Sequence, residues 1–426
     1  MLPTRPLSSD TEVDNVALYA FDGTGNIDED DDNFDTNVVR FAELYALNEG
    51  KENYLEGVGT RLGTVGKVLG GALGMGGRSR VEHMLDNVTD NFNNGDKIID
   101  VIGFSRGAAL AVHFCNKLYK EGVKLEDGSK HTPKIRFLGL WDLVGSFGLS
   151  FNNILDFQEI NLGWDISTVP NNVQTCRHAI ALDERREAFG VTLLDSSDSV
   201  DLAELWFKGV HSDVGGGNGN VKRSNIALNW MLDEAAKIGV EISSTKRAKD
   251  KYAQFDWDAP ISENKDLFSD PKREVKDSAQ LHPSAKAREL GVGESLAVNV
   301  IALHKYSWAR VSLTEGHEYK IWTNESDTWQ DADITCNASG WHSSDLSFLK
   351  ETVVELFEKN RRHPEANWFE LIGAYSNEKD AELFRVGVNT EFTATQNGEL
   401  NFFANDLKSK YENNSGLIRV FIERLS

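Results

Sequence analysis

The sequence predicts two domains, an α/β domain with a mostly parallel sheet followed by a β-sandwich. In the first part of the 426-residue chain, from about Val16 to Leu232, short apolar runs alternate with stretches of helical pattern. Strands that alternate with helices in this way form a mostly parallel sheet with helices on both faces. After about Leu296 the pattern changes to short alternating strands separated by Asn, Gly and Ser turns, which is typical of a β-sandwich. We therefore expect one domain over 1–290 and a second over 291–426.

Short apolar runs bounded by charged or polar residues supply the predicted strands, because this is the pattern of strands with buried faces. In the first domain these runs are Val16–Phe21, Ile98–Gly103, Ile135–Trp141, Cys176–Leu182 and Ala203–Val210. In the second domain they are Ala309–Leu313, Tyr319–Trp322, Trp368–Ile372, Gly398–Ala404 and Leu417–Ile422. The region 246–286 is charged and lacks a periodic pattern, so we expect irregular surface segments there.

The sequence Gly103-Phe104-Ser105-Arg106-Gly107 lies between the second predicted strand and a helical stretch that starts at Ala108. A G-x-S-x-G sequence in this position is a nucleophile elbow, in which the glycines relieve crowding in a tight turn and the serine stands at the tip of the strand. The pattern alone also matches ordinary turns, so its place between strand and helix carries the prediction. We therefore expect a serine hydrolase with Ser105 as the nucleophile.

Acidic residues and a histidine directly follow the later strands, where the catalytic groups of an open α/β sheet gather. A hydrolase of this fold carries its triad in the order serine, acid, histidine. Ser105, then Asp142 or Asp183, then His211 satisfy that order. His211 would take the proton from Ser105, and the acid would hold its tautomer. We prefer Asp142 as the acid, because Asp183 precedes a charged run that suits a charge network. His282 is the reserve candidate for the base.

The loop Asp22-Gly23-Thr24-Gly25-Asn26 follows the first predicted strand. No Gly-Lys-Ser/Thr follows it, which argues against a P-loop. A second interpretation makes Asp22 a phosphatase-type nucleophile. With an elbow present, we favour an oxyanion hole, in which one backbone N–H comes from Gly23 or Thr24 and the other from Arg106.

Composition and charge argue against several classes of protein. The net charge of −22 and the scattered basic residues disfavour binding to nucleic acid. Three dispersed cysteines suit neither a disulfide framework nor a zinc cluster. The first 15 residues lack the apolar core of a signal peptide, and no apolar run is long enough to cross a bilayer. We therefore expect synthesis in the cytoplasm without a signal peptide, and no transmembrane segment.

Six motifs of the first domain occur together in one order. They occupy residues 21–26, 57–60, 103–108, 141–145, 181–186 and 209–217. In this combination the chain resembles the Tle-type phospholipase effectors of bacterial type VI secretion and their α/β-hydrolase relatives. The resemblance implies a serine esterase or lipase of phospholipase A type, with a triad of Ser105, Asp142 and His211 and no cofactor for catalysis. It also implies an α/β-hydrolase fold, antibacterial action, export by a type VI system, and an immunity protein and a secretion spike as partners.

A polar turn near the C-terminus presents the carboxylate of Asp406 and then the amides of Asn413 and Asn414. Hard oxygen ligands of this kind suit Ca²⁺, although Asn-Asn-Ser-Gly is also an ordinary hairpin turn. The turn, and the framework from about Trp308 onward, resemble the PA-I type galactophilic lectins. The resemblance implies a lectin-like β-sandwich that binds Ca²⁺ through these three side chains, with a glycan as a further ligand.

Three functions remain open at this level. The leading hypothesis is a serine hydrolase that cleaves acyl esters of glycerophospholipids through an acyl-enzyme. The first alternative is a carbohydrate-binding protein whose hydrolase domain is inactive. The second alternative is a carboxylesterase of unknown substrate that acts on small esters.

Overall fold

A computed structural model describes residues 15–23, 34–45, 54–55, 77–145, 165–186, 189–262, 273–345, 357–378 and 380–426. The chain divides into two units. The first comprises Met1–Asp256 and Asn264–His282, and the second comprises Trp257–Glu263 and Pro283–Ser426. The boundary expected from the sequence, after Leu290, lies inside the second unit.

Within the described residues, seven parallel strands form the sheet of the first unit. They are β1 (Asn15–Phe21), β2 (Tyr54–Leu55), β3 (Asp96–Phe104), β4 (Ile135–Trp141), β5 (Val173–Ala181), β6 (Asp201–Phe207) and β7 (Gln280–Leu281). Their order across the sheet is β2-β1-β3-β4-β5-β6-β7, and every neighbouring pair is parallel. Two short pairs accompany the sheet, Val123–Lys124 with Lys130–His131 and Thr168–Val169 with Asp195–Ser196. The predicted parallel sheet is confirmed.

Helices cover both faces of this sheet. They are α1 (Asn37–Leu44), α2 (Gly77–Asn93), α3 (Arg106–Glu121), α4 (His211–Gly215), α5 (Val221–Lys237), α6 (Ser244–Arg247) and α7 (Asp250–Ala253). On one face the ring of Tyr19 packs 5.6 Å from that of Phe114 in α3. On the other face Phe137 packs 6.1 Å from Phe41 in α1. Successive strand residues point to opposite faces, so the apolar runs of β1 and β4 serve both layers.

The region 246–286, expected to be irregular, contains α7 and β7 among its described residues. None of the helices in the described part of the chain is long and apolar enough to cross a membrane.

Two antiparallel sheets are formed by the described residues of the second unit. Their strands are β8 (Ser295–Ile301), β9 (Ser307–Leu313), β10 (Glu318–Thr323), β11 (Trp329–Asp331), β12 (Ile334–Cys336), β13 (Leu371–Ala374), β14 (Leu383–Arg385), β15 (Asn389–Thr393), β16 (Gly398–Ala404) and β17 (Asn414–Arg424). One sheet has the order β12-β11-β17-β10-β15, with β8 also paired to β17, and the other has the order β9-β16-β13-β14. Single 3-10 turns occur at Pro283–Ala285, Ser343–Asp345, Glu358–Asn360 and Tyr411–Asn413.

Both sheets of the second unit bury side chains in one shared core. Ile321 and Val420 from the first sheet and Phe402 from the second belong to the same apolar cluster. The predicted β-sandwich is confirmed. One predicted strand starts late, at Leu371, because Phe369 has a φ of 60°, which does not belong to an extended strand.

Candidate active site

Ser105 stands in a strained turn between β3 and α3. Its φ of 59° and ψ of −128° lie in a region that residues with a side chain rarely adopt. Its backbone N–H donates to the carbonyl of Trp141, 3.0 Å away, which ties the turn to the end of β4. Strain of this kind at the tip of a strand is the geometry of a nucleophile elbow.

The two glycines of the elbow allow close backbone contacts. A Cβ on Gly107 would lie 2.2 Å from the carbonyl oxygen of Phe21, at the end of β1. A Cβ on Gly103 would lie 2.7 Å from the Cα of Ala108. Because neither space admits a side chain, the turn can be this tight only with glycine at both positions.

Asp142 follows β4 directly, and its carboxylate binds His211. Its Oδ2 lies 2.6 Å from His211 Nδ1, and its Oδ1 accepts the N–H of Ala181 at 2.8 Å. Its φ is 41°, and among the described residues of the first unit only Ser105 and Asp142 have a positive φ without being glycine. The two strained residues therefore follow two neighbouring strands, and one of them, Asp142, forms an acid–histidine pair with His211.

His211 begins α4 and is held on several sides. Its ring stacks on Phe104 at 4.5 Å between centroids, and Phe189 meets it edge-on at 4.8 Å. Its backbone N–H donates to the carboxylate of Glu184 at 3.1 Å. Because Phe104 is the residue before Ser105, this stacking places the imidazole next to the elbow.

Arg273, which the sequence did not single out, binds the same carboxylate at both oxygens. Its Nη1 lies 2.6 Å from Asp142 Oδ1, and its Nη2 lies 3.0 Å from Asp142 Oδ2. The guanidinium also donates to the carbonyls of Ala181 and Phe189, at 2.7 and 2.6 Å. Burial alone would raise the pKa of Asp142, but Arg273 and His211 together hold that pKa well below its usual range.

The two alternative candidates bind other partners. Asp183 forms an ion pair with Lys208 at 3.1 Å and accepts the N–H of Gly209 at 2.7 Å, as a charge network requires. His282, the reserve base, stacks on Phe207 at 4.6 Å, and burial lowers its pKa to about 4.

Of the three predicted oxyanion residues, the structure describes Gly23 and Arg106. A Cβ on Gly23 would lie 3.3 Å from the Cβ of Ser105, so this loop borders the elbow. The Gly23 N–H, however, donates to Oδ1 of Asp22 at 2.6 Å and would have to leave that bond to reach a substrate. Thr24 lies outside the described residues. Arg106 is the first residue of α3, and amides of a helix's first turn point out of its N-terminus.

Asp22 itself is a buried acid. Besides Gly23, its carboxylate accepts the hydroxyl of Thr36. Burial raises the pKa of Asp22 to about 7, and the nearby Asp35 adds to the increase. Both carboxylate oxygens are thus hydrogen-bonded within the protein, which disfavours the interpretation of Asp22 as a phosphatase-type nucleophile.

In the second unit, two of the three predicted calcium ligands, Asp406 and Asn414, are in contact, and the third, Asn413, contacts another carboxylate. Asn414 Nδ2 donates to Asp406 Oδ2 at 3.1 Å, and Asn413 Nδ2 donates to Asp331 Oδ1 at 3.2 Å. Within the described residues, Oδ1 of Asn414 is buried without a hydrogen-bond partner. Burial and the charge of Asp406 raise the pKa of Asp331 to about 6. Burial also raises the pKa of Asp406.

Much of the first unit matches a known protein family. Residues 17–132 and 114–234 match the family model described as "T6SS, Phospholipase effector Tle1-like, catalytic domain". Together these matches span just over half of the chain. The chain belongs to the Tle1-like phospholipase effectors. The resemblance to type VI effectors is thereby confirmed, and the matched residues include Ser105, Asp142 and His211 but not Arg273.

Solved structures and one curated protein are also similar to parts of this Tle1-like chain. An uncharacterized protein from Pseudomonas aeruginosa is 19% identical over 57% of this chain and 49% of its own, with a TM-score of 0.37. The Tle1 effector bound to the VgrG spike is 14% identical over 97% and 74%, with a TM-score of 0.34. The EclA N-terminal domain, a PllA-like lectin, is 16% identical over 30% and 94%, with a TM-score of 0.22. The uncharacterized protein YEL023C of Saccharomyces cerevisiae is 50% identical over 46 residues, 10% of this chain and 7% of that protein's length.

Proposed function

We propose that this Tle1-like chain is a serine hydrolase that cleaves acyl esters of glycerophospholipids through an acyl-enzyme. The observation that carries the proposal is the 2.6 Å contact of Asp142 with His211 beside the strained elbow at Ser105. Family membership supports a lipid ester as the substrate. The proposed triad is Ser105, Asp142 and His211.

The proposed mechanism follows from which atoms are already bound. A carboxylate can only accept hydrogen bonds, so His211 Nδ1 carries the proton that faces Asp142, and Nε2 is left to act as the base. Nε2 takes the proton of Ser105 while Oγ attacks the acyl carbonyl. Collapse of the tetrahedral intermediate breaks the ester bond, and Nε2 returns the proton to the departing alcohol. Water then attacks the acyl-enzyme by the same route and releases the fatty acid.

The negative charge that develops on the carbonyl oxygen needs preorganised donors. The backbone N–H of Arg106, at the N-terminus of α3, is the proposed first donor. Gly23 and Thr24 are the proposed source of the second. Since the Gly23 amide is bound to Asp22, a rearrangement of this loop on substrate binding, or a donor at Thr24, would complete the oxyanion hole.

Fatty-acid release from vesicles of phosphatidylethanolamine and phosphatidylglycerol tests the proposal, with a short-chain p-nitrophenyl ester measured in parallel. The phospholipase proposal expects activity on both substrates and none in Ser105→Ala. Activity on the short ester alone would favour the carboxylesterase. A fluorophosphonate probe that fails to label Ser105 in folded protein would favour the carbohydrate-binding alternative, because only an activated serine reacts.

We also propose one Ca²⁺ ion in the second unit, held by Asp406, Asn413 and Asn414. The residues fit such an ion: the donor atoms are hard oxygens, one buried amide oxygen lacks a partner among the described residues, and Asp331 brings a second carboxylate. The ion would supply structural stability to the turn. Catalysis is proposed to need no cofactor.

The proposed biological setting is export by a type VI system as an antibacterial effector. Membership of a family of type VI effectors supports this setting. A secretion spike and an immunity protein are the proposed protein partners, and a glycan is a proposed ligand of the second unit. A competition assay tests the setting: a producing strain should kill a neighbour that lacks the immunity gene, and Ser105→Ala should abolish the killing. Equal killing by the wild-type producer and the Ser105→Ala producer would refute the proposed setting.

A further inference from the structure

The guanidinium of Arg273 binds both carboxylate oxygens of Asp142, the acid of the proposed triad. We propose that Arg273 is a positioning residue for ester hydrolysis, which fixes the Asp142 carboxylate in the plane that faces His211 and sets the pH range in which the histidine acts as a base. The inference rests on the proposed hydrolase function.

The geometry of the contact is that of a two-point clamp. Arg273 Nη1 and Nη2 lie 2.6 and 3.0 Å from the two oxygens of Asp142. A planar guanidinium that binds both oxygens fixes the plane of the carboxylate as well as its position. Oδ2 therefore remains directed at His211 Nδ1, 2.6 Å away. A lysine could supply the charge but could not fix the plane.

The same guanidinium also secures the surroundings of the histidine. It donates to the carbonyl of Ala181 at the end of β5 and to that of Phe189, at 2.7 and 2.6 Å. The ring of Phe189 packs edge-on against His211 at 4.8 Å. The Arg273 side chain is only 5% exposed, so these four bonds are shielded from water. Arg273 thus holds the acid and one wall of the histidine's pocket at once.

The charge of Arg273 matters as much as its shape. Asp142 is fully buried, and a buried carboxylate without a cationic partner is strongly destabilising. Arg273 and a protonated His211 are both positively charged partners of this single carboxylate. Other charged groups on the neighbouring elements include Glu184, Arg185 and Arg186 after β5, the ion pair of Asp183 with Lys208, Asp213 in α4 and Arg106 in α3. Among the described residues, the charged groups in contact with the Asp142 carboxylate are those of Arg273 and His211.

The test compares Arg273→Gln, Arg273→Lys and a control, Arg136→Gln, on a soluble ester across pH. Arg136 is also an arginine of the first unit bound to a buried carboxylate, with its Nε 3.0 Å from Asp100 Oδ1. In Arg273→Gln we expect kcat to fall about 10²-fold with little change in KM, because the acid is misplaced rather than the substrate. The acid limb of kcat/KM should move to higher pH, because the variant loses the positive charge that the guanidinium places on the buried Asp142 carboxylate beside the imidazole.

Arg273→Lys should keep the wild-type acid limb and lose about 10-fold in kcat, because it retains the charge without the clamp. Arg136→Gln should lower the thermal midpoint and leave the pH profile unchanged. Wild-type kcat and pH profile in Arg273→Gln would overturn the inference. If Arg273→Gln does not fold, Arg273→Lys tests the inference instead, and a wild-type kcat in Arg273→Lys would overturn it. A wild-type protein that hydrolyses no ester would instead refute the proposed function.

Discussion

The buried carboxyl group of Asp22 should make the first unit less stable as the pH rises, and Asp22→Asn should remove this effect. The two donors to the carboxylate, the Gly23 amide and the Thr36 hydroxyl, are neutral, and Asp35 is a like charge nearby. Asparagine is nearly isosteric with aspartate. Its carbonyl can still accept from Gly23, and its amide can donate to the Thr36 hydroxyl. The substitution therefore removes a charge and keeps both contacts.

The magnitude follows from linkage between protonation and folding. An ordinary aspartate has a pKa near 4, whereas that of Asp22 in the folded chain is about 7. Because the folded-state pKa is raised, the unfolded chain loses this proton first, so the contribution to stability is complete below pH 4 and is lost as the pH rises to 7. Roughly three pKa units at about 1.4 kcal/mol each give about 4 kcal/mol. Above pH 7 we expect Asp22→Asn to be more stable than wild type by up to about this amount.

Urea denaturation of both proteins at pH 4, 6 and 8 measures the effect. The difference in free energy of unfolding should be near zero at pH 4 and should grow between pH 4 and pH 8. Asp127→Asn serves as the control, because Asp127 is an exposed acid of the same unit and should give no such pH-dependent gain. A stability difference that is equal at all three pH values, or a less stable Asp22→Asn at pH 8, would show that the carboxyl group is not a buried charge.

Further predictions concern catalysis and metal binding. Ser105→Ala and His211→Ala should each lower kcat for ester hydrolysis by about 10⁴-fold or more in a protein that still folds, as steady-state kinetics and calorimetry can show. The thermal midpoint should be retained in Ser105→Ala and should fall in His211→Ala, because that variant loses the bond to Asp142. Asp142→Asn should cost nearly as much, and Asp183→Asn should cost less than 10-fold; the reverse order would identify Asp183 as the acid. In the wild-type protein, chelation of Ca²⁺ should lower the thermal midpoint of the second unit, because an ion bound only to the folded state stabilises that state. In Asp406→Ala, which lacks a proposed ligand of the ion, chelation should leave the midpoint unchanged. Hydrolysis of a soluble ester should survive chelation, and its loss would place the ion at the active site.

The sequence was sufficient to predict the elbow and the acid–histidine pair for a physical reason. Parallel strands end at one edge of the sheet, so the residues that follow β3, β4 and β6 lie along the same edge. Asp142 and His211 are 69 positions apart in the sequence, yet the strand pattern placed both at this edge, and the structure shows their contact. The preference for Asp142 over Asp183 rested on the local charge pattern, and the structure pairs Asp183 with Lys208.

Arg273 could not be predicted in the same way. It lies 131 positions from Asp142, in a region whose charges and lack of periodicity indicated irregular surface segments. A long-range ion pair leaves no periodic trace in a single sequence, because only the fold decides which arginine reaches which buried acid. The bond between Asp22 and Gly23 was missed for a different reason: the loop was interpreted through its backbone, although its first side chain competes for the same amide.

The two strained residues of the first unit show how the fold stabilises the proposed site. A positive φ costs about 1–3 kcal/mol at a residue with a side chain, and Ser105 and Asp142 both have one. Such strain persists only where surrounding contacts outweigh it. For Ser105 these are the bond to the Trp141 carbonyl and the close approach of Gly107 to β1. For Asp142 they are the bonds to Ala181, His211 and Arg273. The contacts that stabilise the strained turns are thus the same contacts that orient the reacting groups, and a substitution that removes one of them should affect stability and catalysis together.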